Sequence, residues 1–288
     1  MTANGMCKKR KKIPVSRVLV YVLMVSLAVF TSLPLIYMVS TAFKPLDELF
    51  KFPPTFLVRK PTLENFSDLF SSMSESTVPF WRYLFNSVFT TAISVFGSVI
   101  ICSMAAYSLE KLRAPGYKFL FQVVIVGLMF VPPVAQIPIY IVMSKLGFLN
   151  TYWALILPTL ATPMYLFLIK QFMSQLPDSL LESARIDGAG ELWIFIKIVM
   201  PLIKPAWATV VVFAFIAVWN NSGSSMIYIT DQAMKTLPYA LSSIGNGTVG
   251  AMGAVSAASL LTTAPVIIVY VLMQKQVMNT MAYAGIKG

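Results

Sequence analysis

The chain alternates long uncharged runs with short polar connectors. No Asp, Glu, Lys or Arg occurs in 18–43, 83–109, 119–144, 146–169, 205–230 or 236–274. Each run exceeds the roughly 20 apolar residues that cross a bilayer core as a helix. The pattern predicts six transmembrane helices, over 17–42, 81–109, 119–142, 152–174, 205–221 and 254–274. The last is cut from a longer run whose Gly-rich part, 245–253, reads as a loop. Pro132, Pro133 and Pro138 in the third span and Pro158 and Pro163 in the fourth predict kinks, since proline removes a ladder donor and clashes with the preceding turn. Such kinks serve either motion or packing alone. The fold class is an all-α integral membrane protein.

Composition agrees. The 288 residues are 57% hydrophobic and only 11% charged, against about 25% charged in soluble domains. Placing the amino terminus inside gives cytoplasmic segments 1–17, 110–118, 170–204 and 275–288. They hold 15 of the 22 Lys and Arg and 5 of the 11 acids, so nearly the whole excess of +11 lies on one face. This is the positive-inside pattern, with both termini on the cytoplasmic side of a bacterial inner membrane. Residues 1–16 form a basic tail led by Lys8, Lys9, Arg10, Lys11 and Lys12; 43–80 is a Pro-rich outer loop and 222–253 a second outer loop; 275–288 is a cytoplasmic tail. Topology accounts for the basic charge without nucleic acid. The first run is too long for a signal-peptide core and is expected to stay as a helix. With no His and two distant cysteines, Cys7 and Cys102, no metal site, disulfide or hydrolytic centre is expected.

The connector 175–204 is the conspicuous polar segment, carrying Asp178, Glu182, Arg185, Asp187, Glu191 and Lys197. Pro177 stops the fourth span. Ser179 followed by Glu182 forms a capping-box pattern that predicts a helix start near Leu180. Gly188, Ala189 and Gly190 end that helix, and Glu191 opens another at the positive end of its dipole. In this second helix Leu192, Trp193, Phe195, Ile196, Val199 and Met200 are expected to lie against the membrane body. The plain alternative is an interfacial connector without a partner.

Glu182-Ser183-Ala184, three residues, Gly188, nine residues and Ile198-Val199-Met200-Pro201 resemble the Glu-Ala-Ala, Gly, Ile-x-Leu-Pro motif of permease subunits of binding-protein-dependent ABC importers. Ser183 and Met200 depart conservatively. Phe43-Lys44-Pro45, Leu63-Glu64-Asn65-Phe66, Asn86-Ser87, Ala105-Ala106-Tyr107, Ile137-Pro138-Ile139-Tyr140, the run Leu146 to Trp153, Leu237-Pro238 and the end Ala284 to Gly288 are similar to the carbohydrate branch, in particular the maltose-type second permease. The resemblance implies the type I ABC importer permease fold, with the permease domain over 81–288. It also implies a homologous partner permease, two copies of a cytoplasmic ATPase and an external sugar-binding protein. ATP and magnesium belong to that ATPase, and this chain has no phosphate-binding loop of its own. Nothing is expected to be bound here as a cofactor.

By the same resemblance the bracket is a coupling helix, with Glu182, Ser183, Ala184, Asp187 and Gly188 touching or shaping the ATPase contact. Ala184 is small enough for close approach, and Gly285, Lys287 and Gly288 of the tail reach the same partner. Gly245, Asn246, Gly247 and Thr248 resemble a loop that reaches into the binding protein, although a flexible connector fits as well. Polar and aromatic residues within spans are candidates for the translocation pathway: Asn86, Gln136, Tyr140, Tyr165, Trp219, Asn220 and Asn221. The competing reading makes them interfacial anchors and polar glue. An oligosaccharide is the expected cargo; a glycerol-phosphate compound is an alternative. An ion-coupled secondary transporter is disfavoured because the six runs hold no carboxylate.

Overall fold

The computed structural model describes residues 15–74, 77–244 and 252–285. Helices dominate, and no strand occurs among the described residues. Four are long and apolar enough to cross a membrane, and six spans result if each of two bent pairs counts as one.

Helix α1, Val15–Ala42, leaves almost all of its apolar surface uncovered. The segment 43–63, which holds a single helical turn at Leu46–Leu49, leads to α2, Glu64–Ser74, and then to the central α3, Phe80–Tyr107. A π-turn, Ser108–Leu112, extends α3 until Arg113 turns left-handed at φ 50° and Gly116 at φ 80°. Next come α4, Tyr117–Leu128, and α5, Pro132–Lys145, which meet at 118°. The single span expected over 119–142 is therefore two helices. Pro132 and Pro133 supply no N–H, and Val131 before them is extended (φ −74°, ψ 133°) as a pre-proline residue prefers.

The region expected as one helix over 152–174 is likewise broken. Its pieces are α6, Tyr152–Leu160, and α7, Pro163–Met173, with Thr162 extended before Pro163. Together they still make one apolar span. Then follow α8, Asp178–Ile186, and α9, Glu191–Leu202, with α9 meeting α10, Lys204–Trp219, at 78°. Short helices α11, Ser222–Tyr228, and α12, Leu237–Ile244, occupy the loop region before α13, Met252–Gly285. At 34 residues, α13 is about 50 Å long and continues well beyond the 254–274 expected from hydropathy.

Helix α3 packs on α6, α7 and α10, and α10 packs on α13. Three buried clusters result among the described residues, a small one of Ala154, Leu155, Tyr228 and Ile229 and two larger ones. One of the larger two joins α3, α7, α8, α9 and α10 around Cys102, Ile169, Leu181, Ile194 and Val210. The other joins α2, α12 and α13 around Leu69, Leu237 and Ala257. The described 252–258 part of α13 belongs to the second of these, so the two larger clusters mark opposite ends of the bundle.

Polar side chains fix the second end. Fully buried Asn86 donates to the carbonyls of Ala233 (2.9 Å) and Lys235 (2.8 Å) and accepts from the Tyr152 hydroxyl (2.7 Å). Ser87 accepts the Leu237 N–H at 2.7 Å. Asn65, from the Leu63–Phe66 motif, donates to the Ala42 and Lys44 carbonyls at 2.9 and 2.7 Å and closes the loop between α1 and α2. Gly253 lies directly over that amide: a Cβ there would sit 2.0 Å from Asn65 Oδ1.

Asn65→Ala is expected to destabilise the detergent-solubilised protein by about 1–3 kcal/mol by orphaning two carbonyls. Gly253→Ala should lower the thermal midpoint through the clash. The double variant should fall no further than Asn65→Ala alone, because the clashing amide is gone; differential scanning fluorimetry checks all three.

Candidate functional site

The bracket α8–α9 is built around a helix stop. Gly188, at φ 83°, adopts the left-handed conformation that glycine tolerates best. Its N–H bonds to the Arg185 carbonyl at 3.0 Å, and the Ala189 N–H reaches back to Ala184 at 3.0 Å. This pair is a Schellman closure, and Ala184 and Ala189 supply its apolar contact. The start of α8 differs from expectation. It begins at Asp178 after Pro177, without a side-chain cap, so Ser179 and Glu182 do not form a capping box. Pro177 is the N-cap residue instead, with extended backbone at φ −63° and ψ 130°.

One carboxylate holds the bracket shut. Glu191, at the first position of α9, accepts from Arg185 Nε at 2.7 Å and from the Tyr107 hydroxyl at 2.6 Å. Tyr107 is the last residue of α3, so a single side chain ties both arms of the bracket to the central helix. A second tie comes from the π-turn. Lys111, with only 5% of its side chain exposed, donates to the Leu176 carbonyl and to Asp178 Oδ1, both at 2.6 Å. Beside it Lys170 pairs with Glu110 at 2.6 Å and sits 4.1 Å over the Phe121 ring. The sequence reading missed Tyr107 and Lys111 as bracket residues, because their partners lie 84 and 67 positions away.

The inner face of the bracket also departs from expectation. Phe195 and Val199 are buried and Met200 packs against the cluster, as expected, but Leu192, Trp193 and Ile196 point outward. A π-turn over Phe195–Val199 explains this. Its i→i+5 closure brings Ile194 and Val199 to one face, and both are fully buried. Ala184, only 9% exposed, packs in the cluster and also lines the groove between α8 and α9.

The outward face therefore carries an apolar ridge. Ile186 is 86% exposed, Leu192 68% and Trp193 53%. Between α8 and α9 lies an open groove of ≈ 700 Å³ lined by Leu180, Ser183, Asp187, Gly188 and Trp193 among others. Glu182 lies exposed on the same helix. Gly285 closes α13, whereas Lys287 and Gly288, like Gly245, Asn246, Gly247 and Thr248, lie outside the described residues.

The pathway candidates are not brought together. Asn86 is spent on the anchors described above, and Tyr165 is buried in the first of the larger clusters. Asn221 caps α11 by accepting from Ser224 N at 2.9 Å. Trp219 is buried, stacked on Phe215 and donating its indole N–H to the Thr262 carbonyl at 2.9 Å. Gln136 is exposed on α5, Tyr140 stacks on Tyr228, and Asn220 is exposed at the end of α10.

Hydrogen bonds from Lys111 hold the Asp178 carboxyl below its ordinary range, and those from Arg185 and then Tyr107 do the same for Glu191. A depressed folded-state pKa contributes stability that is complete above the unfolded value and lost as pH falls through the folded one. Wild-type protein should therefore lose thermal stability below about pH 4 more steeply than the Asp178→Asn/Glu191→Gln variant. The two melting-temperature curves should converge at low pH and separate near neutrality.

Comparison with known proteins places this geometry. The model of binding-protein-dependent transport system inner membrane components matches residues 98–281. An arabinooligosaccharides transport system permease protein of Halalkalibacterium halodurans is 29% identical over 97% of this chain and 100% of its own length. A trehalose/maltose transport system permease protein of Thermococcus litoralis is 30% identical over 94% of this chain and 97% of its own. Among solved structures, a bacterial ABC transporter involved in import of the acidic polysaccharide alginate superposes with a TM-score of 0.78, at 24% identity, over 92% of this chain and 99% of that one. The likeness shows a shared fold. The chain belongs to the family of binding-protein-dependent transport system inner membrane components, the membrane-embedded permease subunits of ABC importers.

Proposed function

We propose that this chain is one half of the permease of a carbohydrate importer, and that the bracket α8–α9 is the surface through which a separate ATPase drives it. The observation that carries the reading is the outward ridge of Ile186, Leu192 and Trp193 beside an open groove, on a segment tied to α3 by Glu191 and Lys111. An apolar ridge in a polar connector fits a protein cleft better than water. Rigid attachment lets a push on the ridge reach the spans as a tilt rather than a local bend.

The complex in this reading has a second, homologous permease, two ATPase copies that bind ATP and magnesium, and an extracytoplasmic binding protein that delivers sugar. Both termini and the bracket face the cytoplasm, in line with the basic charge of those segments. Glu182, Ser183, Ala184, Asp187 and Gly188 shape the ATPase contact, with Gly285, Lys287 and Gly288 reaching it from the tail, while Gly245 to Thr248 face the binding protein. Relatives named for arabinooligosaccharides and for trehalose and maltose, and a fold neighbour that imports alginate, support an oligosaccharide as cargo.

The test is to reconstitute this chain with its partner permease, ATPase and binding protein. ATP hydrolysis is then measured with maltotriose, arabinotriose, galactotriose and trigalacturonate. Sugar-dependent stimulation is expected, and it should fall at least tenfold in Glu182→Lys and Gly188→Pro while the two permeases still co-purify. Uptake by this chain alone, driven by an ion gradient, would overturn the reading.

A further inference from the structure

At the end of the bundle away from the bracket, α10, α11, α12 and α13 surround a second pocket of ≈ 260 Å³. It lies one helix length from the coupling surface: α10 has 16 residues, or about 24 Å of rise. Its polar lining is Asn220, Ser222, Ser242, Ser259 and Thr262. These groups come from segments with no charged side chain between 205 and 230 or between 236 and 274. The neighbouring cavity of ≈ 470 Å³, lined by Val88, Phe96, Phe215 and Leu272 among others, is apolar. Trp219 lines the apolar cavity, and its indole N–H donates to the carbonyl of Thr262, a residue of the polar pocket.

The hydrogen-bond inventory defines what the pocket can take. Ser242 donates to the Tyr239 carbonyl at 2.8 Å, Ser259 to Val255 at 2.8 Å and Thr262 to Ala258 at 3.1 Å. Their hydrogens are committed within their own helices, so these oxygens offer lone pairs to a ligand's donors. The Asn220 amide has no hydrogen-bond partner among the described residues and can both donate and accept. No Lys or Arg lines the pocket. The nearby Lys235 is buried and donates to the Tyr239 hydroxyl at 2.8 Å. A carboxylate would find no cation there, whereas a ring bearing several neutral hydroxyls matches an acceptor-rich, uncharged lining.

We propose that this pocket is a subsite for one ring of a neutral saccharide, with Asn220, Ser259 and Thr262 contacting its hydroxyls. This rests on the importer reading above, and it places a substrate contact on this chain. It also selects against acidic sugars.

The reconstituted complex tests both. Asn220→Ala and Ser259→Val should each weaken neutral-trisaccharide uptake by about fivefold or more, the loss of one or two hydrogen bonds, while the two permeases still co-purify. A Ser259→Cys variant on a Cys7→Ser/Cys102→Ser background gives a second readout. A thiol reagent should label it, and the stimulating neutral trisaccharide should protect it, while trigalacturonate should not. Unchanged uptake in both pocket variants, equal protection by both sugars, or strongest stimulation by trigalacturonate overturns the subsite and leaves the importer reading intact. No stimulation by any sugar, with Gly188→Pro indistinguishable from wild type, overturns both.

Discussion

The Glu191 carboxylate is the contact on which the arrangement of the bracket depends. It accepts from Arg185 on one arm and from Tyr107 on the central helix, and it occupies the first turn of α9, where the helix dipole favours negative charge. Without it, a short polar helix of nine residues would keep the Schellman closure, the Lys111 tie and buried Leu181 to fix its angle, and isolated helices of that length are unstable in water. Tertiary anchoring therefore makes α8 a rigid element. The apolar underside, Leu181, Ile194 and Val199, completes the attachment.

The same structure explains how a membrane protein with so few charges organises its ends. At the bracket end, two buried or half-buried cations, Lys111 and Lys170, are each paired with a carboxylate and placed beside carbonyl or aromatic groups. At the opposite end Asn65 and Asn86 each satisfy two main-chain carbonyls that irregular backbone would leave open, and Lys44, Glu48 and Arg82 bond further main-chain groups there. In a low-dielectric setting an unsatisfied carbonyl is costly, so loops entering the bundle need such partners. This accounts for the Leu63–Phe66 and Asn86–Ser87 motifs as anchors of loops.

Much of the architecture was legible in the linear sequence. Six uncharged runs determined a polytopic helical protein, because hydrocarbon excludes unpaired charge. Pro177, Gly188 and Glu191 located the two bracket helices, because the conformational limits of proline and glycine and the field of a helix terminus are local properties. Other features were decided only by packing. The two proline-bounded breaks separate helices at angles that neighbouring helices set. Two π-turns, at Ser108–Leu112 and Phe195–Val199, rotate the following residues to a new face, and no hydropathy period announces them. Packing also leaves Leu192, Trp193 and Ile196 facing outward while Ala184 is buried at the edge of the groove. The partners of Tyr107, Lys111, Asn86 and Trp219 lie 43 to 149 residues away. Residue type alone could mark these side chains as polar or aromatic within a membrane. Whether each became an anchor, a lever or a pocket wall depended on which distant carbonyl or carboxylate the tertiary fold brought within hydrogen-bond reach.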